Sequence, residues 1–156
     1  MRSTTIHASA VLVGARAVLI RGPSGAGKSR LALELIESER SGSLLFARLV
    51  GDDRVHLQAA GGRLLVRPAE TLAGLIEVRG VGILRLPHEP SAVVGLVADL
   101  AADAKRLPDA KERREVLEGI SLPRLAVAHG TKALPALLAL LTSSREAFVV
   151  ADPWIV

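Results

Sequence analysis

Val18-Leu19-Ile20-Arg21-Gly22-Pro23-Ser24-Gly25-Ala26-Gly27-Lys28-Ser29 sets a glycine-rich turn directly behind a short apolar run. Gly22, four further residues and then Gly27-Lys28-Ser29 have the Walker A spacing, in which backbone N–H groups of a tight loop converge on phosphate oxygens. Gly22, Pro23, Ser24, Gly25, Ala26, Gly27, Lys28 and Ser29 together form the expected nucleotide cradle. In that motif Lys28 reaches the β- and γ-phosphates, Ser29 ligates Mg2+, and the helix that begins there turns its positive dipole end toward the anion. On one side of the loop lies a β-branched run; on the other, Leu31, Leu33, Leu35 and Ile36 among Ala32, Glu34 and Glu37 read as a helix. That is the strand–loop–helix setting the motif requires, and a plain glycine turn would need neither the lysine nor the serine. The loop indicates phosphate binding and leaves the reaction open.

The 156-residue chain has the length of one domain, taken as 1–156, and its 49% hydrophobic content is enough for a real core. Phe46, Phe148 and Trp154 are its only aromatic residues, so the core must be built from Leu, Val, Ile and Ala. This argues against base-stacking platforms. The net charge of +4 is modest and spread along the chain, compatible with an acidic or phosphorylated partner and without the basic run of a nucleic-acid binder. The absence of cysteine excludes disulfides, thiolate metal sites and cysteine nucleophiles together. Met1 to Thr5 lacks an apolar leader core and no run has the length of a membrane span, so a cytoplasmic protein is expected.

Ile6 to Val13 reads as one strand, Gly14-Ala15-Arg16 as a turn, and Ala17 to Ile20 as the strand entering the phosphate loop, so a hairpin precedes the loop. Such a hairpin in register brings His7 into the region of the site. Beyond the helix, Ser41-Gly42-Ser43 breaks the pattern, and Leu44 to Val50 is an apolar run ending at Gly51-Asp52-Asp53. Gly61-Gly62 marks a second hairpin between Arg54–Ala59 and Arg63–Val66, ended by Pro68. Leu75 to Leu86 reads as a strand interrupted by charges and glycines, Ser91 to Leu100 as a valine-rich strand, and Ala110 to Leu117 as a polar helix. Leu122 to Val127 is a late strand, and Thr131 to Leu141 a leucine-rich helix with Pro135 in its first turn, where proline is tolerated. The fold class is α/β, a single P-loop domain with a mixed sheet and antiparallel hairpins, less regular than a doubly wound sheet.

Phosphoryl transfer needs carboxylates near Mg2+ and a group that deprotonates or orients the acceptor. Asp52 and Asp53, at the end of an apolar strand, are the candidates. In an extended backbone their side chains point to opposite faces, so one serves as base and the other as metal or structural partner. Glu77 and Arg79, two residues apart, would share a strand face, where a carboxylate can reach Mg2+ and a guanidinium phosphate; a surface ion pair is the plainer alternative. His7 on an apolar strand is more often a packed core residue, and Arg106 could be ordinary surface charge.

His7, the Gly22–Ser29 loop, Leu49-Val50-Gly51-Asp52-Asp53-Arg54-Val55 and, above all, Ile76-Glu77-Val78-Arg79-Gly80-Val81-Gly82-Ile83-Leu84 resemble the successive motifs of the HPr kinase/phosphorylases, in the short form consisting of the C-terminal catalytic domain. Ordinary P-loop kinases do not carry Glu-x-Arg-Gly-x-Gly after the carboxylates. The resemblance is clear from His7 to Leu86 and faint thereafter. It implies an ATP- and Mg2+-dependent kinase of a serine on the phosphocarrier HPr, a fold close to that of phosphoenolpyruvate carboxykinase, and a hexamer. It also implies that Asp53 accepts the seryl proton, that Lys28 holds phosphates, that Ser29 and Glu77 ligate Mg2+ with Asp52 beside them, and that His7 and Arg106 match the active-site histidine and the late catalytic arginine.

The family commonly has acidic residues where this chain has Pro23 and Arg30, and a shorter stretch before Asp52. Members proficient in the reverse reaction, phosphorolysis of phosphoserine, carry two arginines in a Pro-Val-Arg-Pro-Gly-Arg type segment. Here the corresponding stretch is Val127-Ala128-His129-Gly130-Thr131-Lys132, so weak phosphorolysis is expected. The competing readings are a small-molecule P-loop kinase, for which no clear arginine-rich lid is found, and a nucleotide-binding regulatory module that would not need Asp53.

Overall fold

In the computed structural model, which describes residues 3–143, the strand entering the phosphate loop lies inside a mixed nine-stranded sheet. Phe148, Trp154 and the end of the expected 1–156 domain fall outside the described residues. In chain order the elements are β1 (Thr4–Ile6), β2 (Ser9–Val13), β3 (Arg16–Arg21), α1 (Lys28–Arg40), β4 (Ala47–Gly51), β5 (Val55–Ala60), β6 (Arg63–Pro68), a 3-10 turn at Glu70–Leu72, β7 (Leu75–Val78), β8 (Gly82–Arg85), β9 (Ala92–Ala102), β10 (Arg114–Leu117), β11 (Ile120–Ala128) and α2 (Leu134–Thr142). Across the sheet the order is β1-β5-β6-β9-β3-β2-β4, with β11 joined to β9 and β10 to β11. β9 runs parallel to both β3 and β11, and the other pairings are antiparallel. The expected α/β class with a mixed sheet and hairpins is what the chain adopts.

β3 reads as an unbroken apolar run because both of its faces are covered. Val18 and Ile20 join α1, through Leu31 and Leu35, in one core cluster. Ala17 and Leu19 join Val55, Leu57, Leu64 and Val66 of the β5–β6 hairpin in another. Each fully buried leucine of this kind contributes roughly 1.5–3 kcal/mol, so the loop and helix grow from the best-anchored part of the molecule. The hairpin ahead of the loop has a positional consequence. β2 pairs with β3 on one side and β4 on the other, Ser9 opposite Ile20 and Ala10 opposite Gly51. The start of β2 is thus wedged between the end of the phosphate-loop strand and the end of the strand leading to Asp52.

Four local expectations are corrected. Ile6 to Val13 is two strands, because β1 leaves its neighbour at His7 and pairs with β5 instead. Leu75 to Leu86 is a separate hairpin, β7 against β8, that turns at Arg79-Gly80-Val81. Gly80, at the turn, has φ of 83°, and Gly82, where β8 starts, 116°, conformations that glycine adopts without strain and that reverse the chain here. Arg79 therefore sits in the turn and does not share a strand face with Glu77. Ala110 to Leu117 is a turn followed by β10, not a helix; its alternating residues find a partner in β11, and pairing outweighs helix propensity. Finally, Asp53 is not extended but has φ 66°, in the left-handed region.

Candidate active site

The phosphate loop closes on itself through the Ala26 amide, which donates to the Pro23 carbonyl at 3.1 Å. Gly22 is required by its surroundings, since a Cβ there would lie 3.0 Å from the Leu100 carbonyl oxygen and 3.2 Å from the Ala26 Cβ. α1 begins at Lys28 behind Gly27, with no side-chain cap and no acidic residue in its first turn. Its positive dipole end thus opens toward the loop with no capping side chain of its own, as an anion site demands. The Lys28 ammonium donates to the carbonyls of Gly22 at 2.7 Å and Pro23 at 3.1 Å, which holds its charge over the mouth of the loop.

Asp52 is the hub. It is 3% exposed, and its carboxylate accepts hydrogen bonds from three elements. The Ser9 hydroxyl donates to Oδ1 at 2.6 Å, the Ser29 hydroxyl reaches Oδ1 at 2.7 Å and Oδ2 at 2.9 Å, and the Glu77 backbone N–H donates to Oδ2 at 3.3 Å. A buried carboxylate is tolerable only when its lone pairs are so occupied. The same bonds tie the phosphate-loop serine to β2, β4 and β7. Ser9, fully buried, was not singled out by the sequence; its signal is a lone hydroxyl at the start of an otherwise apolar strand, two residues after His7.

One residue on, the chain reverses. The Arg54 N–H donates to the Asp52 carbonyl at 2.7 Å across Asp53, so Asp52 turns inward while Asp53 is exposed. The two carboxylates diverge as anticipated, but through a tight turn instead of strand alternation. A left-handed aspartate is uncommon and of the kind found at functional sites. Ile6 pairs with Val55, so His7 and Asp53 leave the β1–β5 ladder at the same end. His7 is exposed there, not packed in the core. Glu77 is brought to the site by its backbone, and its side chain is exposed. Arg106 is exposed on the segment between β9 and β10. The structure thus gathers the loop, Asp52 and the Glu77 backbone into one bonded network, sets His7 and Asp53 at one junction, and leaves Arg106 on a segment of its own. A shallow cavity of about 180 Å³ lined by Arg16 and Arg63 lies toward the opposite end of β3 and takes no part in this.

Residues 1–89 match the family described as HPr Serine kinase C-terminal domain. The chain belongs to that family. It is 45% identical over 82 residues to an HPr kinase/phosphorylase of Streptococcus thermophilus, covering 52% of this chain and 24% of the relative. To the HPr kinase/phosphorylase of Streptococcus salivarius it is 35% identical over 137 residues, covering 80% of this chain and 42% of the relative. The chain therefore spans less than half the length of these curated relatives. A solved structure, that of the Hpr(Ser) kinase/phosphatase from Coxiella burnetii, superposes with a TM-score of 0.70 at 27% identity, covering 88% of this chain and 87% of that one. The expected P-loop fold of the family is thus the fold of this chain, and the matched residues 1–89 contain the loop, the Asp52–Asp53 turn and the β7–β8 hairpin.

Beside the phosphate loop this member of the HPr serine kinase family carries a second polar cluster. Arg21, immediately before Gly22, forms a fork to Asp99 with Nε–Oδ1 at 2.7 Å and Nη2–Oδ2 at 2.8 Å, and its Nη2 reaches Glu115 at 2.6 Å. Arg124 Nε donates to the same Asp99 at 2.6 Å. Burial pushes the Asp99 carboxyl up, but the hydrogen bonds and charges of Arg21 and Arg124 outweigh it and hold it below the usual range. Its bond to Asp99 holds the Arg21 guanidinium above its already high ordinary value against burial, and Glu115 adds to this.

Proposed function

We propose that the chain is the catalytic domain of an ATP-dependent protein-serine kinase acting on an HPr-type phosphocarrier. The observation that carries this reading is the paired geometry of the carboxylates: Asp52 buried on the hydroxyl of Ser29, and Asp53 turned outward one residue later, within the family-matched segment. A nucleotide-binding module would need the first and has no use for the second.

In this reading the loop amides and Lys28 hold the nucleotide's phosphates. Ser29, Asp52 and Glu77 would hold a Mg2+ ion beside the phosphates, and the pairing of the Ser29 hydroxyl with the buried Asp52 carboxylate fits a hard cation that takes oxygen ligands. When bound, Mg2+ neutralises charge on the phosphoryl group being transferred. Asp53 accepts the proton of the seryl hydroxyl as its oxygen bonds the γ-phosphorus and the bond to the bridging oxygen of ADP breaks. His7 at the same junction and Arg106 complete the polar surroundings of the acceptor. The arrangement is assigned to a single domain, acting in the cytoplasm as a homohexamer. Among the described residues no helix is long and apolar enough to cross a membrane.

The deciding experiment is incubation with γ-labelled ATP, Mg2+ and purified HPr. Label on an HPr serine is the expected result. Tight ATP binding without label on HPr would overturn the reading in favour of a nucleotide-binding module.

A further inference from the structure

The ion cluster beside the loop is half-buried, involves three fixed carboxylate–guanidinium contacts, and has no part in the chemistry above. Its connections run in one direction. Arg21 binds Asp99, Asp99 binds Arg124, and Arg124 Nη1 donates to the Glu112 carbonyl at 3.2 Å. The Glu112 carboxylate then pairs with Lys105 at 2.8 Å, and Lys105 precedes Arg106. A continuous chain of contacts therefore links the residue before Gly22 to the residue before Arg106. β9 passes the phosphate loop at Leu100, against Gly22, and the segment 103–113 leaves from that end of the sheet.

We propose that Arg21, Asp99 and Arg124 form a positioning relay that fixes the segment 103–113 against the phosphate loop and so sets where Arg106 stands relative to the transferred phosphoryl group. This rests on the kinase reading for its catalytic consequence. β9 ends at Ala102, and four residues of extended chain from there to Arg106 span at most about 14 Å, so an untied Arg106 would sample a volume far larger than a catalytic site. The base of the segment is closed by Lys105 and Glu112, with the Glu112 amide on Asp109, and these surface contacts are weak by themselves. The Arg21–Asp99–Arg124 contacts are of the stronger sort: one carboxylate, 14% exposed, takes the two-bond fork of Arg21 and a further charged bond from Arg124 Nε. A lysine in place of Arg21 would keep the charge and lose the fork.

Two measurements test the relay. Limited trypsin digestion followed by mass spectrometry reads the order of the segment: Asp99→Asn and Arg21→Lys should speed cleavage after Lys105 or Arg106 by tenfold or more, while cleavage at exposed basic residues outside 103–113 stays unchanged. Kinetics read the consequence: both variants should lower kcat for HPr phosphorylation about 10- to 100-fold, the loss that small misplacements of a catalytic group produce, with the directly titrated Kd for ATP within threefold of the parent. Adding Arg106→Ala to Asp99→Asn should cost little more than either change alone. Unaltered cleavage at Lys105 and Arg106, or a double variant whose losses multiply, overturns the proposal. If Asp99→Asn does not fold, Arg21→Lys alone carries the test. Should the parent protein phosphorylate no HPr, the kinase reading falls, and the digestion result then decides whether the relay orders the segment.

Discussion

Asp52 and Asp53 are chemically alike and one bond apart in the chain, yet their surroundings divide the labour. Asp52 spends its lone pairs on Ser9, Ser29 and the Glu77 amide, while Asp53 stands in solvent at φ 66°. Lys28→Ala should abolish ATP binding and transfer together, because the loop loses its only side-chain charge over the phosphates. Asp53→Asn should leave the Kd for ATP unchanged and reduce transfer by ~10²–10⁴, the usual effect of removing a positioned base; both are read by nucleotide titration alongside labelled-phosphate kinetics. An equal loss of ATP affinity in the two variants would move Asp53 into the metal site. Glu77→Gln weakens a hard oxygen donor, so the Mg2+ concentration for half-maximal rate should rise. If that concentration does not move, the exposed Glu77 side chain is a surface group. At this scale the loop and the carboxylate pair were legible from spacing, because a phosphate cradle is a local motif. Ser9 was not, because its role exists only where β2 lies between β3 and β4.

The elements differ in how much of their form is local. α1 and β3 carry their own signals, namely helix period, glycine start and apolar run, and they form where the sequence places them. β10 carries helix-forming residues and becomes a strand because β11 presents a free edge, Arg114 to Leu117 pairing with Pro123 to Ile120. β9 is then tied to β3 and β11 by the bonds of Asp99 to Arg21 and Arg124, and this contact is sensitive to acid. Its carboxyl has a lowered value in the fold against an ordinary value of about 3.9 when unfolded. The stabilisation is therefore fully present above about pH 4 and disappears as pH falls through the folded-state value. Urea denaturation of the parent and Asp99→Asn should show a stability gap at pH 7 and pH 5 that narrows at pH 3; a gap of constant size would mean the charge on Asp99 is not what stabilises. The stretch after β11, His129 to Lys132, is exposed and offers one lysine and a histidine. Phosphorolysis needs an attacking orthophosphate held firmly, and a lysine presents a point charge where arginine presents a fork. Pyrophosphate release from phosphorylated HPr and orthophosphate should be far slower than the kinase reaction. Comparable rates would make this segment dispensable.

At the scale of the whole molecule, the proposed hexamer predicts a native mass of about six chains of 16.4 kDa by light scattering; a concentration-independent monomer would rule it out. The exposed Val81 and Ile83, 67% and 70% accessible on the β7–β8 hairpin, are apolar surface that an assembly of this kind would cover. What the sequence by itself determined is what depends on near neighbours: the phosphate loop, its strand and helix, two of the hairpins, the acidic pair at a strand end and the α/β class, since periodicity and backbone chemistry act over a few residues. The tertiary structure alone decided which strand lies beside which. From that came the splitting of β1 from β2, the wedge that puts Ser9 on Asp52, and the meeting of Arg21 with Asp99, 78 positions away. A buried hydrogen bond or ion pair between distant residues leaves no period in the sequence, because its partners are chosen by strand order and register, and these are settled by burial on both faces of the sheet.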